Sequence, residues 1–204
     1  MKNIFFLFLF FPCLFFSQIP DKNEQLKVVY SIEYKKIPFK MKMFKKHLPT
    51  EFTSYYSKLG SRNETTIDVK MMGEHMRSSS VFVENDSLNI RWEKTLTIVN
   101  DSIIDNQLVE TKDTREQEET DILLGTSQKT ILGYNCISFS VENDSSKITG
   151  FIAPDIHGKG KFQDHGLPLE FTMTSKKEKT TIVQTAQQIS TEPLNPNMFF
   201  LNKK

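Results

Sequence analysis

Residues 134–141 read Tyr-Asn-Cys-Ile-Ser-Phe-Ser-Val, with Ile137, Phe139 and Val141 alternating with Cys136, Ser138 and Ser140. A period of two sends successive side chains to opposite faces of an extended backbone, so this run predicts a half-buried strand. Asn143-Asp144-Ser145 follows, and then an apolar run from Lys147 to Ile152. Short polar side chains of this kind fold back onto the backbone just ahead of them and favour turns. The same tripeptide recurs at Asn85-Asp86-Ser87 and Asn100-Asp101-Ser102, each time between runs rich in Val, Ile, Leu, Phe or Trp. Strand, turn and strand repeated in this way constrain the chain to an antiparallel sheet.

The remaining segments extend that pattern. Val28, Tyr30, Ile32 and Tyr34 share one face of a strand over 27–35, which Pro38 ends or marks as an edge. Phe39-Lys40-Met41-Lys42-Met43 alternates as well and predicts a further strand, while Thr65–Met71 and Met76–Glu84 are joined by a tight turn at Gly73-Glu74. One stretch differs. Phe52, Tyr55, Tyr56 and Leu59 fall at i, i+3, i+4 and i+7, with Thr50 placed to cap and Gly60 to terminate, which predicts a helix over 51–59. Glu110 to Asp121 is charged, mostly acidic and without apolar period, a solvated surface loop or a short exposed helix. A last hairpin is expected around Ser175-Lys176-Lys177-Glu178-Lys179, and the tail, with Phe199 and Phe200, is placed to plug back onto the sheet. The count is about ten strands and one helix in a single domain over 27–204.

The N-terminus is a separate matter. Met1-Lys2-Asn3 precedes an apolar run from Ile4 to Phe16, broken only by Pro12, and then Ser17-Gln18. A basic start, a short apolar core and a small residue describe a secretory signal peptide over 1–17, cut before Gln18. The run is shorter than the roughly 20 apolar residues that span a bilayer. Residues 18–26 are polar and expected to form a disordered lead-in. Cleavage removes Lys2 from the 26 basic residues and leaves 25 against 25 acidic ones. That balance excludes nucleic acid as a general partner, since phosphate binding needs a basic excess. It also removes Cys13 and leaves Cys136 without an internal disulfide partner.

Ile131-Leu132-Gly133-Tyr134-Asn135-Cys136, Gly150-Phe151-Ile152-Ala153-Pro154-Asp155-Ile156, Gly166-Leu167-Pro168-Leu169-Glu170 and Asn197-Met198-Phe199 occur in that order. Together with Met72-Gly73-Glu74-His75-Met76-Arg77 before a strand, they make the chain resemble secreted Bacteroidetes proteins of the GLPGLI family and its relatives. The resemblance implies an open antiparallel sheet of the periplasmic lipoprotein-carrier type: one curved layer, a half-barrel, with the short helix on its concave face. It implies no catalytic residues. Asp86-Ser87-Leu88 and Asp101-Ser102-Ile103 also resemble the O-glycosylation pattern of Bacteroidetes exported proteins, which makes Ser87 and Ser102, at expected turn tips, candidate sugar sites.

The chemistry legible in the chain is sparse. Asp155, His157, Asp164 and His165 crowd one loop and are weak candidates for a divalent metal, although their spacing matches no helix- or hairpin-based motif. Cys136 has no nearby histidine and no nucleophile signature, so it reads as a small side chain packed on the sheet. No Gly-x-Ser-x-Gly elbow is present, and Gly158-Lys159-Gly160-Lys161 lacks the spacing and the following hydroxyl of a phosphate loop. The reading is therefore a non-enzymatic module without a cofactor.

Two features bear on partners. Lys35, Lys36, Lys40, Lys42, Lys45 and Lys46 interleave with Ile37, Phe39, Met41, Met43 and Phe44. Such a stretch could touch an anionic membrane surface, but it reads first as an edge strand whose lysines deter strand addition. The second is an apolar groove. Tyr30, Tyr34, Trp92, Phe139 and Phe151, with the helix face of Phe52, Tyr55, Tyr56 and Leu59, are candidate lining for a lipid or other apolar ligand. The principal expectation is an exported binding module, periplasmic, outer-envelope or secreted. The alternative is an envelope protein with a protein partner and a core filled by its own residues; a metal-dependent hydrolase at the 155–165 loop stands last.

Overall fold

The computed structural model describes residues 25–71, 73–112, 121–158, 162 and 164–201. The expected signal peptide and nearly all of the lead-in lie outside these, as do residues 113–120 of the acidic connection. Eleven strands form one antiparallel sheet: β1 (Leu26–Lys36), β2 (Glu51–Ser57), β3 (Gly60–Met71), β4 (Glu74–Asn85), β5 (Ile90–Val99), β6 (Ser102–Lys112), β7 (Leu123–Ile131), β8 (Tyr134–Glu142), β9 (Ser146–Ala153), β10 (Leu167–Ser175) and β11 (Thr180–Thr191). Leu26, expected in the lead-in, already belongs to β1 and is buried.

The strand order is β6-β5-β4-β3-β2-β1-β11-β10-β9-β8-β7. Two hairpin meanders, β1 to β6 and β7 to β11, are joined where the first and last strands pair, Leu26 opposite Thr191 through Lys36 opposite Thr181. β6 and β7 are consecutive in the chain yet form the two opposite edges. A flat sheet of eleven strands would be about 48 Å across at about 4.8 Å per step. The chain from Lys112 to Leu123 reaches only about 36–40 Å at full extension. The sheet must therefore curl, and it remains open rather than closing into a barrel.

Each Asn-Asp-Ser tripeptide sits at a hairpin. Asn100 and Asp101, at φ 47° and 65°, make the two-residue turn between β5 and β6. Two positive φ values in succession give the backbone twist that matches a hairpin. Asn143 accepts hydrogen bonds from the backbone N–H groups of Ser145 (3.1 Å) and Ser146 (2.8 Å) between β8 and β9. Asn85, by contrast, is buried; its side chain accepts from Leu88 N (3.0 Å) and donates to Phe199 O (3.1 Å), so it serves the turn and the tail together.

Two sequence expectations are corrected. Residues 51–59 are not a helix: Glu51–Ser57 is strand β2, and Leu59 lies in the turn to β3. Phe52 and Tyr56 pair with Tyr30 and Leu26 on one face, while Tyr55 pairs with Lys27 on the other. β2 is interior to the sheet and carries aromatic residues on both faces because both are covered, and a strand buried on both sides loses clean alternation. Its aromatics then fall by coincidence at helical spacing. Conversely, Phe39–Met43 is not a strand. Phe39–Lys42 is a single helical turn, α1, followed by a 3-10 turn at Lys45–His47. Pro38 starts it, with its carbonyl accepting from Met41 N (2.9 Å) and Lys42 N (3.2 Å).

Because paired residues share a face, register assigns the packing. Leu26, Val28 and Tyr30 belong to a buried cluster with Cys136, Ala153, Ile156, Leu167, Leu169 and Ala186. On the opposite face of the other half, Tyr55, Arg62, Val83, Trp92 and Glu110 form a row across β2 to β6. The C-terminal tail lies on that row. Leu194 and Phe199 are buried there with Val83 and Trp92, Phe200 stands 6.4 Å from the Trp92 ring, and Arg62 Nη1 donates to Met198 O at 2.8 Å. Burying each large apolar side chain is worth about 1.5–3 kcal/mol against about 1 kcal/mol for a hydrogen bond, so apolar contact holds the plug and the polar bonds set its register.

Gly150 on β9 lies next to a bulge in β10 between Pro168 and Glu170. A Cβ there would stand 2.0 Å from Glu170 O and 2.6 Å from Phe171 Cα, whereas one on Gly133, in the β7–β8 turn at φ +85°, would meet nothing within 4 Å. Gly150→Ala should cost about 2–3 kcal/mol or more, because the backbones must separate, and Gly133→Ala about 1 kcal/mol of left-handed strain. Urea denaturation of both variants tests the difference; equal losses would contradict the close approach.

Candidate functional site

β1, β2 and β3 bring Tyr30, Phe52, Ser54, Tyr56 and Asn63 to one face, and the far meander brings Phe162, Leu167, Pro168, Phe171 and Gln184 against them. Between them is a partly open cavity of about 230 Å³. Tyr30 is its centre. Its ring stacks on Phe52 (centroids 4.8 Å, planes 7° apart) and meets the edge of Phe171 at 6.2 Å and 71°. Its hydroxyl donates to Pro168 O at 2.9 Å across the junction of the two meanders. Ser54 donates to Asn63 Oδ1 at 2.6 Å, which satisfies the hydroxyl of a residue only 1% exposed.

No charged side chain lines the cavity among the described residues. Burial, and secondarily the neighbouring Tyr56 phenol, push the Tyr30 hydroxyl well above the ordinary tyrosine value of 10.0. Burial likewise raises Tyr56, against the opposing effect of hydrogen bonds with Ser54 and Tyr30. Both phenols are thus held neutral, and the site is an aromatic surface with neutral hydroxyl and amide groups at its edge. It offers shape and apolar contact, with a few hydrogen-bonding groups for orientation.

Of the lining expected from sequence, the cavity brings together Tyr30, Phe52 and Tyr56. Tyr55, Leu59 and Trp92 lie with the tail in the second cluster instead; the Trp92 indole N–H donates to Glu110 Oε2 at 3.0 Å. Phe139 is buried in a third cluster with Val141 and Ile152, 5.2 Å from the Phe162 ring. Phe151 packs at the rim of the first cluster under Lys129 Nζ, 5.5 Å from its ring, and Tyr34 donates its hydroxyl to Pro49 O at 3.0 Å. Sequence reasoning missed Ser54, Asn63, Phe162, Leu167, Pro168, Phe171 and Gln184. The Gly166-Leu167-Pro168-Leu169 run held two of these in plain sight, whereas Gln184 carried no signal.

The other candidates are not among the residues that line the cavity. Asp155 and Asp164 are exposed, and His157 and His165 half-buried. Among the described residues, no three or more His, Cys, Asp or Glu side chains come together as a metal site. Cys136 is 1% exposed with its Sγ–H directed at Tyr134 O (3.5 Å), and burial raises its thiol pKa. Ser87 and Ser102 are both exposed, Ser87 in the β4–β5 turn and Ser102 at the start of β6. Among the described residues no helix is long and apolar enough to cross a membrane.

No protein-family model and no curated relative matches the chain. Solved structures do. PNGF-II is similar in two crystal forms, with TM-score 0.51, 14% and 15% identity, and coverage of 87% and 86% of this chain. The likeness is one of fold. This chain spans only 30% and 29% of those chains. A β-barrel-like DUF1849 protein from Brucella abortus aligns at 8% identity over 83% of this chain and 98% of its own, TM-score 0.41. A putative outer membrane lipoprotein-sorting protein domain from Vibrio parahaemolyticus aligns at 6% over 88% and 90%, TM-score 0.28. Scores so low add nothing to the likeness with PNGF-II.

Removing the Tyr30 hydroxyl leaves Pro168 O without that donor, so Tyr30→Phe should cost about 1–2 kcal/mol. The pH dependence has a definite sign. A phenol whose folded pKa is raised contributes stability that is complete below the unfolded value of 10.0 and is lost as pH climbs towards the folded one. Melting temperature should therefore hold to about pH 9 and fall above about 10, and Tyr30→Phe should blunt the fall. An identical alkaline limb in parent and variant would contradict the burial of this hydroxyl.

Proposed function

We propose that the chain is a non-enzymatic binding module that takes an apolar ligand into the cavity around Tyr30. The observation that carries this is the aromatic lining of Tyr30, Phe52, Tyr56, Phe162 and Phe171, closed on its polar side by Ser54, Asn63 and Gln184. At about 230 Å³ the cavity is below the roughly 300–1,000 Å³ usual for drug-sized ligands. It suits a ring or part of one acyl chain and not a whole two-chain lipid, so the ligand is an acylated peptide, a fatty acid or a similar amphiphile whose head and remaining chain stay outside. The neutral phenols and the uncharged lining favour capture by burial over chemistry. The apolar 4–16 segment and the resemblance to secreted Bacteroidetes GLPGLI-type proteins support export to the periplasm, outer envelope or medium, where such amphiphiles occur. The lipoprotein-carrier resemblance is analogy, because one fold hosts many functions.

The second reading, an envelope interaction protein with a self-filled core, is favoured by the tail that already occupies the opposite face with Leu194 and Phe199. The two part company in one experiment. Native mass spectrometry of gently extracted protein should show an adduct of fatty-acyl size, and delipidated protein should bind the fluorescent fatty acid cis-parinaric acid. Gln184→Trp, which fills the cavity from its edge, should weaken that binding about tenfold with little change in melting. A bare mass with no uptake of the probe, or equal uptake by parent and variant, would leave the self-filled reading in its place.

A further inference from the structure

We propose that the connection from β1 to β2, residues 37–50, is a docking surface for anionic lipid. This goes beyond the cavity reading and does not need the cavity to be loaded. The stretch from Pro38 to Thr50 contains no Asp or Glu and four lysines, with Lys35 and Lys36 just before it. Lys35 pairs with Glu33 (2.6 Å), but among the described residues no carboxylate pairs with Lys36, Lys42, Lys45 or Lys46. The same segment presents Phe39 at 80%, Met43 at 75% and Phe44 at 50% exposure. Apolar side chains that enter the acyl boundary beside cations that meet the headgroups are what interfacial binding requires, since either alone binds marginally.

The structure removes the reading under which these lysines guard an edge strand. The segment is not a strand, and it connects two strands in the interior of the sheet. It is also held in place. Ile37 is buried, Tyr34 donates to Pro49 O, Ile32 N donates to Thr50 O at 2.7 Å, and the Lys45–His47 turn lies against β3. Anchored at both ends, it has no packing reason to leave two phenylalanines in water. Of the other exposed apolar residues, Ile103, Ile104 and Val109 on β6 and Leu123 and Leu124 on β7 lie along the sheet edges, Leu88 and Leu132 stand singly in hairpin turns, and Met173 lies on β10. None of them combines several exposed apolar side chains with a run of lysines free of acidic residues; the lysines after Met173 are interrupted by Glu178, and Lys176 pairs with Glu142.

Vesicle co-sedimentation tests the surface, with every variant compared with its parent of the same N-terminus. Phosphatidylglycerol-containing vesicles should bind the parent about tenfold more tightly than phosphatidylcholine alone, and added salt should reduce the difference. Lys42→Glu/Lys45→Glu/Lys46→Glu should abolish the preference. Phe39→Ser/Phe44→Ser should weaken binding to the anionic vesicles about tenfold, with melting unchanged because both rings are exposed. A Phe39→Trp variant adds a direct readout, since its fluorescence should be quenched by brominated acyl chains. No binding by the parent, equal binding to both vesicle types, or variants that bind like the parent would overturn the proposal. So would binding that survives while the indole introduced by Phe39→Trp stays unquenched, which would put the lipid contact elsewhere on the protein.

Discussion

The pairing of β1 with β11 is the constraint on which the rest depends. It joins the first strand to the last, Val28 opposite Ile189 and Tyr30 opposite Ala186, and it is the only ladder between the two meanders among the described residues. Every other neighbouring pair in the sheet joins consecutive strands, and most of the intervening loops are short and therefore cheap to close. The central pair instead spans most of the chain, so its closure entropy must be met by burial. Leu26, Val28, Tyr30 and Ala186 supply it, all of them buried. The Tyr30 hydroxyl then reaches past β11 to Pro168 on β10 and ties the junction a second time. This one distant pairing should be the late step in folding, with each meander free to form its local hairpins first.

That junction also explains why the sheet has two covered faces and why they do different things. Curling brings Phe162, Leu167 and Phe171 over one face near β1 and β2, where aromatic rings meet imperfectly and leave the cavity. On the opposite face the chain has residues left over after β11, and these fold across β2 to β5 as the tail. Adjacent residues of β3 serve the two sides: Asn63 borders the cavity while Arg62 holds the tail through Met198 O. One face is filled by the chain itself and the other is not.

Much of this was legible in the sequence, for local reasons. The Asn-Asp-Ser turns announce themselves because their chemistry acts within two or three residues, as Asn143 does toward Ser145 and Ser146. The strand through Tyr30, the terminating Pro38 and the plugging Phe199 were legible in the same way. The failures lie where tertiary context overrode pattern. Phe52, Tyr55 and Tyr56 mimic a helix face because β2 must satisfy the cavity on one side and the tail on the other, and neither neighbour is near it in sequence. Phe39-Lys40-Met41-Lys42-Met43 mimics a strand because five alternating residues fit either period until Pro38 imposes its own geometry. The cavity's far wall was invisible, since the closeness of Gln184 and Phe171 to Tyr30 is a product of the β1–β11 pairing and not of any local signal.

The cavity and the lysine-rich connection are not independent parts of the molecule. The β1–β2 ladder ends at Ser31 opposite Glu51, and the stacked pair Tyr30 and Phe52 is the very next rung. The chain therefore leaves the cavity wall on β1, makes the exposed excursion through Phe39 and Phe44, and returns to the same wall on β2. Ile32 N bonded to Thr50 O fixes where it re-enters. A force that orients the excursion, such as a lipid surface on its lysines, is delivered one rung from the ring stack that lines the site. At that rung β1 is paired on both sides, Tyr30 with Phe52 on β2 and with Ala186 on β11, whereas the β2–β3 ladder begins only at Thr53, so the excursion leaves the wall where β1 is held from both sides and β2 from one.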